Sequence, residues 1–429
     1  MRSDELFNVL QALPVIDVHS HISRDQPGGK NLDQVVFYHM VQYPLRSAGV
    51  SEETLWPGGK FHSNTGPWEQ FFHAWDRIAN TGFAWGLETI LRDLYEFDEP
   101  LTADSLPALR AKFEANTARE DWGRSILRKG GIRRILSSRL DVEPLTDGGD
   151  DLGIRFTIES APTSGTREYV GWSRRLEYIE QRTGRDVSTP AGLREAIGEF
   201  YDAKDWSHKR ALVSWFSSEC DFRPADEADI AAALRDAHAG ESLAPAQTRM
   251  LEAAIIRAVC EAISPHTATF QMCFGVQFLT PGKPHPVARV APQFASSLGW
   301  LFGEFPGIHF NLLNGYEPIE PELCAHCLAY ENVSLASYWW QTFYPAVMAA
   351  AWRRRLDMVP ASRLCGFFSD GWCLDWTYAR LQMTRRVLAQ VLAEKVQQGW
   401  WSEQRAIRTA EQLFLHTPRE LFLPDEDVR

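Results

Sequence analysis

What this chain lacks narrows its class before any motif is read. No apolar run in its 429 residues approaches the about 20 needed to cross a bilayer, so no membrane partner is expected. Basic residues are the minority, 44 against 56 acidic, and the net charge of -12 removes the basic face on which nucleic-acid binding depends. Cysteine is scarce: seven thiols over this length make no disulfide framework, and an odd number leaves one unpaired. The opening Met1-Arg2-Ser3-Asp4-Glu5-Leu6-Phe7 is acidic where a secretory leader has a basic start and an apolar core, so a cytoplasmic location is expected. Repeats and low-complexity tracts are also missing. What is there is an ordinary globular composition, 45% hydrophobic and 23% charged, enough for one large core. A small anionic substrate stays compatible with the acidic balance, because one arginine binds one carboxylate whatever the global charge.

The strongest motif is Val15-Ile16-Asp17-Val18-His19-Ser20-His21. Its β-branched opening reads as a buried strand, and residues at i and i+2 share a strand face, so His19 and His21 stand side by side. Neutral imidazoles so placed suit a divalent metal once a carboxylate joins them. Asp370 closes a second apolar run, Leu364 to Asp370, far along the chain. In a closed (β/α)8 barrel the first and last strands are neighbours and the site lies at their C-terminal ends, which would unite the three. Without a metal, His-x-His reads as a polar strand end.

Between His21 and about Gly130 the patterns are helical, over Trp68 to Asn80, Phe83 to Tyr95 and Ser105 to Trp122. That is too much helix for one crossover, and residues 22–130 read as a helical insertion after strand 1. Strand-like runs follow at Ile132 to Ser137, Ile154 to Ile158, Thr269 to Phe274, Ile308 to Leu313, Val333 to Ser337 and Leu364 to Phe368. Ala211 to Phe216 supplies an eighth. Helical stretches at Leu176 to Gln181, Leu193 to Tyr201 and Pro245 to Ile263 separate them, which makes the class α/β with parallel strands. The expected architecture is a single domain, 1–429, built as a distorted (β/α)8 barrel. Helices are expected over Thr377 to Gln397, on the barrel exterior, and over Glu403 to Leu415.

These residues resemble a known family, the uronate isomerases of the amidohydrolase superfamily. Ile16-Asp17-Val18-His19-Ser20-His21-Ile22 is similar to that family's Asp-Tyr-His-Cys-His-Leu. Arg46 to Glu53, Gly66 to Phe72, Trp339-Trp340, Phe368-Ser369-Asp370, Arg380 and Arg385-Arg386 also follow its order. The resemblance implies one divalent ion, usually zinc and alternatively manganese, on His19, His21 and Asp370. It implies conversion of an aldose sugar acid to a ketose. Asp370 and His39 are then the catalytic candidates, and His39 and Arg380 the candidate contacts to a sugar-acid substrate. The competing reading of His39 is a surface helix histidine.

Departures from the family fall on the substrate walls. Tyr38 and Met40 flank His39 where the family has aspartate and tyrosine, Cys273 replaces a histidine, Phe278-Leu279-Thr280-Pro281-Gly282 lacks the family's amides, and Gly371-Trp372 replaces Ser-Arg. Losing an arginine there removes a bidentate carboxylate clamp. Two further readings therefore stand beside the isomerase: a metal-dependent hydrolase of an amide, ester or lactone, and a catalytically silent relative that keeps the fold.

Other candidates carry two readings each. Cys273 is a soft extra ligand or a packed thiol. Asp17 orients a histidine or holds buried backbone. Cys324-Ala325-His326-Cys327 has zinc-like spacing on a helix but lacks a second pair, which favours packing. Arg353-Arg354-Arg355 is exposed helix charge or reaches the barrel mouth. The 16 tryptophans read as core and helix packing, and a chain of this size leaves room for a homo-oligomer.

Overall fold

The computed structural model describes every residue except 24, 57–65, 139–153, 156–157, 161–171, 204–205, 207–210, 216, 267–268, 279–285, 341–342, 427 and 429. Ten strands are present among the described residues: β1 Val15–Ser20, β2 Ile132–Ser137, β3 Ile154–Arg155, β4 Ile158–Ser160, β5 Ala211–Trp215, β6 Thr269–Phe274, β7 Val276–Phe278, β8 Pro286–Ala288, β9 His309–Asn314 and β10 Val333–Leu335. One parallel sheet runs β1-β2-β3, a second runs β10-β9-β6-β5-β4, and β7 and β8 pair as a small antiparallel ribbon. All six residues of β1 and of β6 are buried, as expected of parallel strands covered on both faces. The α/β class is thus observed.

Backbone pairing draws two sheets where one ring of eight was expected, and the reason lies in the last run. Leu364 makes a single parallel bridge to Leu335, Cys365 N donates to Leu335 O at 2.9 Å, and Val18 N donates to Phe367 O at 3.4 Å. Between these contacts Gly366 N turns away and donates to Leu413 O at 2.8 Å. A Cβ on Gly366 would come within 2.9 Å of the Leu413 Cβ, so only glycine admits this approach. The run therefore lies between β10 and β1 without forming a ladder. On the opposite side the expected strand Ile154 to Ile158 divides, with β3 in one sheet and β4 in the other. Residues 156–157 between them, and 279–282 of the amide-poor stretch, lie outside the described residues.

Seven helices separate β1 from β2 among the described residues. The expected helix Ser105 to Trp122 is two, Leu106–Thr117 and Trp122–Gly130. Asn116 Nδ2 and Thr117 Oγ1 return to the carbonyls of Lys112 and Phe113 at 2.9 Å, side-chain competition that favours a helix end. The last expected helix stops at Glu411 and continues as a π turn over Gln412–His416, whose Leu413 carbonyl serves Gly366.

The helix Leu374–Gln397 keeps only a narrow exposed stripe, Arg386, Gln390 and Gln397. It is buried nearly throughout, packed against Ser3–Ala12, Gly82–Tyr95, Trp122–Gly130 and Pro345–Met358. Its Asp375 accepts from Tyr95 Oη at 2.5 Å and Gly29 N at 2.9 Å, tying the chain after β1 to this helix. Of the tryptophans, Trp339 and Trp340 are buried and Trp401 packs against the core, whereas Trp400 is 72% exposed. No helix of the described residues is long and apolar enough to cross a membrane.

The three arginines at 353–355 divide their roles. Arg353 pairs with Glu394 and Arg354 with Glu317, whereas Arg355 is fully buried, a fate neither reading anticipated. Its guanidinium meets Glu320 at 3.0 and 2.6 Å and donates to Ala336 O and Ser337 O at 2.7 and 3.2 Å. Glu320 in turn accepts from Asn314 Nδ2 at 3.1 Å, so this one ion pair fixes the chain leaving β9 and β10. Removing one member of a buried pair strands the other charge. An Arg355→Met variant is expected to lose about 3–5 kcal/mol of stability, read from urea unfolding with both midpoint and slope measured; a loss below about 1 kcal/mol contradicts this.

Burial beside Arg363 lowers the His309 pKa from 6.5 to about 4, burial being the larger cause. The unfolded chain binds a proton there below 6.5 and the folded chain only near 4, so stability falls as pH drops through that window. The full contribution is up to about 3 kcal/mol. In His309→Asn, the loss of stability between pH 7 and pH 4.5 is expected to shrink by about that amount; an unchanged pH dependence contradicts it.

Candidate metal centre

The end of β1 and the end of the run at 364–370 are held together by main chain. Asp370 N donates to His19 O at 2.9 Å, and His21 N donates to Gly371 O at 2.8 Å. Asp370 occupies the left-handed region at φ 49°, a conformation that non-glycine residues adopt only when the surroundings impose it. A Cβ at Gly371 would stand 2.5 Å from Thr377 Oγ1, so the turn beyond it also requires glycine. Asp17 supports this turn from below, accepting from Ser369 N at 2.8 Å, Ser369 Oγ at 2.5 Å and His19 N at 3.3 Å. Its role is the buried-backbone one. Burial raises its pKa to about 7 against the opposing pull of these hydrogen bonds.

The turn brings His19, His21 and Asp370 into one cluster. Asp370 Oδ1 lies 3.1 Å from His21 Nε2 and 3.6 Å from His19 Nε2. A tetrahedral ion with bonds of about 2.0–2.2 Å has donor-to-donor edges of about 3.3–3.6 Å; these two edges lie within about 0.2 Å of that range, and two imidazoles with one carboxylate are donors that suit a first-row divalent cation. The far nitrogens are occupied: His19 Nδ1 faces Gln271 Oε1 at 3.1 Å and His21 Nδ1 faces Ser138 Oγ at 3.0 Å. Sequence reasoning assigned neither partner a role. Burial works against the Asp370 charge, but the hydrogen bond from His21 and the charge of Arg380 outweigh it and hold the carboxyl well below its usual range. Burial lowers the His21 pKa, so this imidazole stays neutral to lower pH than a free one.

Arg380 lies against the centre from the helix behind it. It is 2% exposed, donates to Ser369 O through Nη1, and stands 3.9 Å from Asp370 Oδ2. Its guanidinium carbon sits 4.7 Å from the Phe343 ring and 5.9 Å from the Tyr38 ring. Tyr38, which sequence reasoning noted only as a departure, donates to Asp370 O at 3.4 Å and stacks on Trp376 at 4.9 Å. His39 opens the helix His39–Ser47 and is 3% exposed, which overturns the surface-histidine reading. Its ring packs beside Tyr38 at 4.2 Å and Trp340 at 6.0 Å.

Cys273 is buried, and its sulfur is not among the ligand atoms that cluster within 4.8 Å of one another, which favours packing over thiolate ligation. Cys324 and Cys327 are buried free thiols with raised pKa values, and His326 is bonded to Ala295 O at 2.7 Å, so this helix motif packs rather than ligates. Trp372 stacks on His21 at 4.6 Å and 23° while staying 39% exposed, an aromatic rim beside the cluster.

Set beside known proteins, the fold comes first. It matches that of a protein assigned as a metal-dependent hydrolase from Lactobacillus casei ATCC 334, with a TM-score of 0.62 at 13% identity, over 99% of both chains. More closely, it matches the uronate isomerase of Thermotoga maritima, with a TM-score of 0.83 at 19% identity, over 98% of this chain and 97% of that one. In sequence the chain is 22% identical to the uronate isomerase of Thermotoga sp. strain RQ2 over 458 aligned positions, 97% of this chain and 96% of the relative. No family model matches. The chain thus has the α/β fold of uronate isomerases and resembles them from end to end.

Purified protein loaded with zinc is expected to hold one equivalent, and His19→Ala or Asp370→Asn to weaken binding by more than about 100-fold, since even outer-sphere changes cost up to that much. Equilibrium titration against a chelator reads this; affinity within about threefold of wild type in either variant contradicts the assignment.

Proposed function

We propose that this chain is a metal-dependent isomerase that interconverts the aldose and ketose forms of a uronate or related sugar acid. The observation that carries this reading is the resemblance to uronate isomerases over 97% of the chain. The convergence of His19, His21 and Asp370 supports it. In this reading the eight runs are staves of one distorted (β/α)8 barrel spanning 1–429, residues 22–130 are a helical insertion, and the site sits at the strands' C-terminal ends.

His19 Nε2, His21 Nε2 and Asp370 Oδ1 would hold one divalent ion, zinc or manganese. When bound, that ion supplies Lewis-acid stabilisation of negative charge on a substrate oxygen. Asp370, kept ionised by Arg380 3.9 Å from its Oδ2, is the candidate base for the proton of the carbon beside the carbonyl. Arg380 serves here as counter-charge to Asp370 rather than as the substrate's carboxylate clamp. His39, next to the tyrosine that bonds Asp370 O, is the candidate substrate contact and second proton carrier. Trp372 offers a flat apolar surface at the rim against which a sugar ring can stack.

The likeness to the Lactobacillus casei protein favours a second reading, a hydrolase of an amide, ester or lactone in which Asp370 takes the proton of an attacking water. Proton NMR of the zinc- and manganese-loaded protein with uronates, aldonates and sugar lactones in deuterated water separates the two. Ketose carrying deuterium at the carbon beside the new carbonyl is expected, with kcat down by about 10²–10⁴-fold in Asp370→Asn. No turnover of any uronate contradicts the first reading, and lactone or ester cleavage in its place carries the second.

A further inference from the structure

The interior of a parallel sheet is normally filled by apolar side chains, yet one rung here is polar. Gln271 on β6, Asn311 on β9 and Ser334 on β10 are successive cross-strand neighbours, each fully buried. Gln271 Nε2 donates to Val18 O at 2.9 Å and lies 3.4 Å from Asn311 Oδ1; Asn311 Nδ2 donates to Ser334 Oγ at 2.9 Å. Ser334 Oγ then meets His309 Nε2 at 2.8 Å. The Val18 contact falls in the part of β1 where its pairing with β2 shifts register, between Asp17 and Ser20.

One atom in this chain of contacts decides the orientation of the rest. The Val18 carbonyl can only accept, so the Gln271 atom beside it must be the amide nitrogen, and the opposite flip would press two carbonyl oxygens together. Gln271 Oε1 is thereby turned to His19 Nδ1 at 3.1 Å. An amide oxygen cannot donate, so the hydrogen between them belongs to Nδ1. The second imidazole is not fixed in this way: the Ser138 hydroxyl, 3.2 Å from Ser20 O and 3.0 Å from His21 Nδ1, can turn its one hydrogen to either, and His21 Nε2 lies 3.1 Å from Asp370 Oδ1.

We infer that Gln271 is a positioning residue that fixes His19 as the Nδ1–H tautomer, so that the bare Nε2 faces Asp370 before any metal arrives. The inference rests on the metal-centre reading only for what the bare nitrogen serves. The His19 lone pair and Asp370 Oδ1, 3.6 Å apart, then face each other with no hydrogen between them, an arrangement that favours a cation. Asn311 and Ser334 hold the Gln271 amide so that it cannot flip.

The test begins with the unaltered, metal-free protein carrying ¹⁵N-labelled histidine, at a pH above the ordinary imidazole range. A two-bond proton–nitrogen correlation spectrum reports each ring's tautomer, and His19→Gln assigns the His19 signals by their loss. A protonated Nδ1 and a bare Nε2 on His19 are expected; the reverse tautomer, or a mixture of the two, overturns the inference. Variants extend this to the metal. In Gln271→Leu the partner of Nδ1 is gone, and zinc affinity is expected to fall by about 10–100-fold. The same spectrum of folded Gln271→Leu is expected to show His19 as a mixture of tautomers, a change that a merely structural role would not produce. A His19 tautomer unchanged in folded Gln271→Leu, or no loss of zinc affinity there, overturns the positioning role. If the unaltered protein shows the expected tautomer yet binds no zinc, the positioning of His19 stands and the metal-centre reading falls.

Discussion

Two backbone hydrogen bonds, Asp370 N to His19 O and His21 N to Gly371 O, are the contact on which the site depends. They place residues from opposite ends of the chain within one cluster and hold Asp370 in the left-handed conformation at φ 49°. Neither the histidines nor the carboxylate would form a site without this register. The glycines at 366 and 371 are what make it accessible, because a Cβ at either would meet Leu413 or Thr377. Asp17 adds the third support by binding Ser369 N and Oγ from within β1.

Holding an ionised carboxylate inside a protein costs several kcal/mol unless it is compensated. At Asp370 the compensation comes from both sides, His21 in front and Arg380 behind, and it prevails over burial. Arg380 is itself held by Ser369 O and by the faces of Phe343 and Tyr38. The positive charge therefore serves the carboxylate within the protein, which explains how an arginine can follow the order of a sugar-acid isomerase and yet lie out of contact with solvent. The aromatic rim, with Trp372 stacked on His21, makes the entrance of this centre more apolar than its floor.

Much of this was legible in the sequence because it rests on local pattern. The alternation of strands and helices follows from β-branched runs and 3.6-residue periodicity, and the pairing of His19 with His21 follows from strand geometry. Asp370 was found by the run that it ends. What the sequence did not disclose are contacts between residues far apart in the chain. Nothing in the spacing of Ser138 or Gln271 announces a partner for an imidazole Nδ1, and Arg355 in a run of three arginines gives no sign of lying buried on Glu320. Helix ends were misjudged where side chains compete with the main chain, at Asn116 and Thr117, and where a π turn replaces the last α turn. The burial of most of Leu374–Gln397 was hidden because its polar residues, Asp375, Arg380 and Arg385, look like a solvated face until their partners Tyr95, Ser369 and Leu13 are known.

The central claim is that two imidazoles and one carboxylate, drawn from the first and last runs, form a centre for a single ion with no thiolate in it. X-ray absorption at the zinc edge of the loaded protein measures this directly. The account predicts a first shell of nitrogen and oxygen only, at about 2.0–2.2 Å, with outer-shell scattering from two imidazoles. A sulfur scatterer at about 2.3 Å, as ligation by Cys273 would give, or a shell without imidazole, would contradict it.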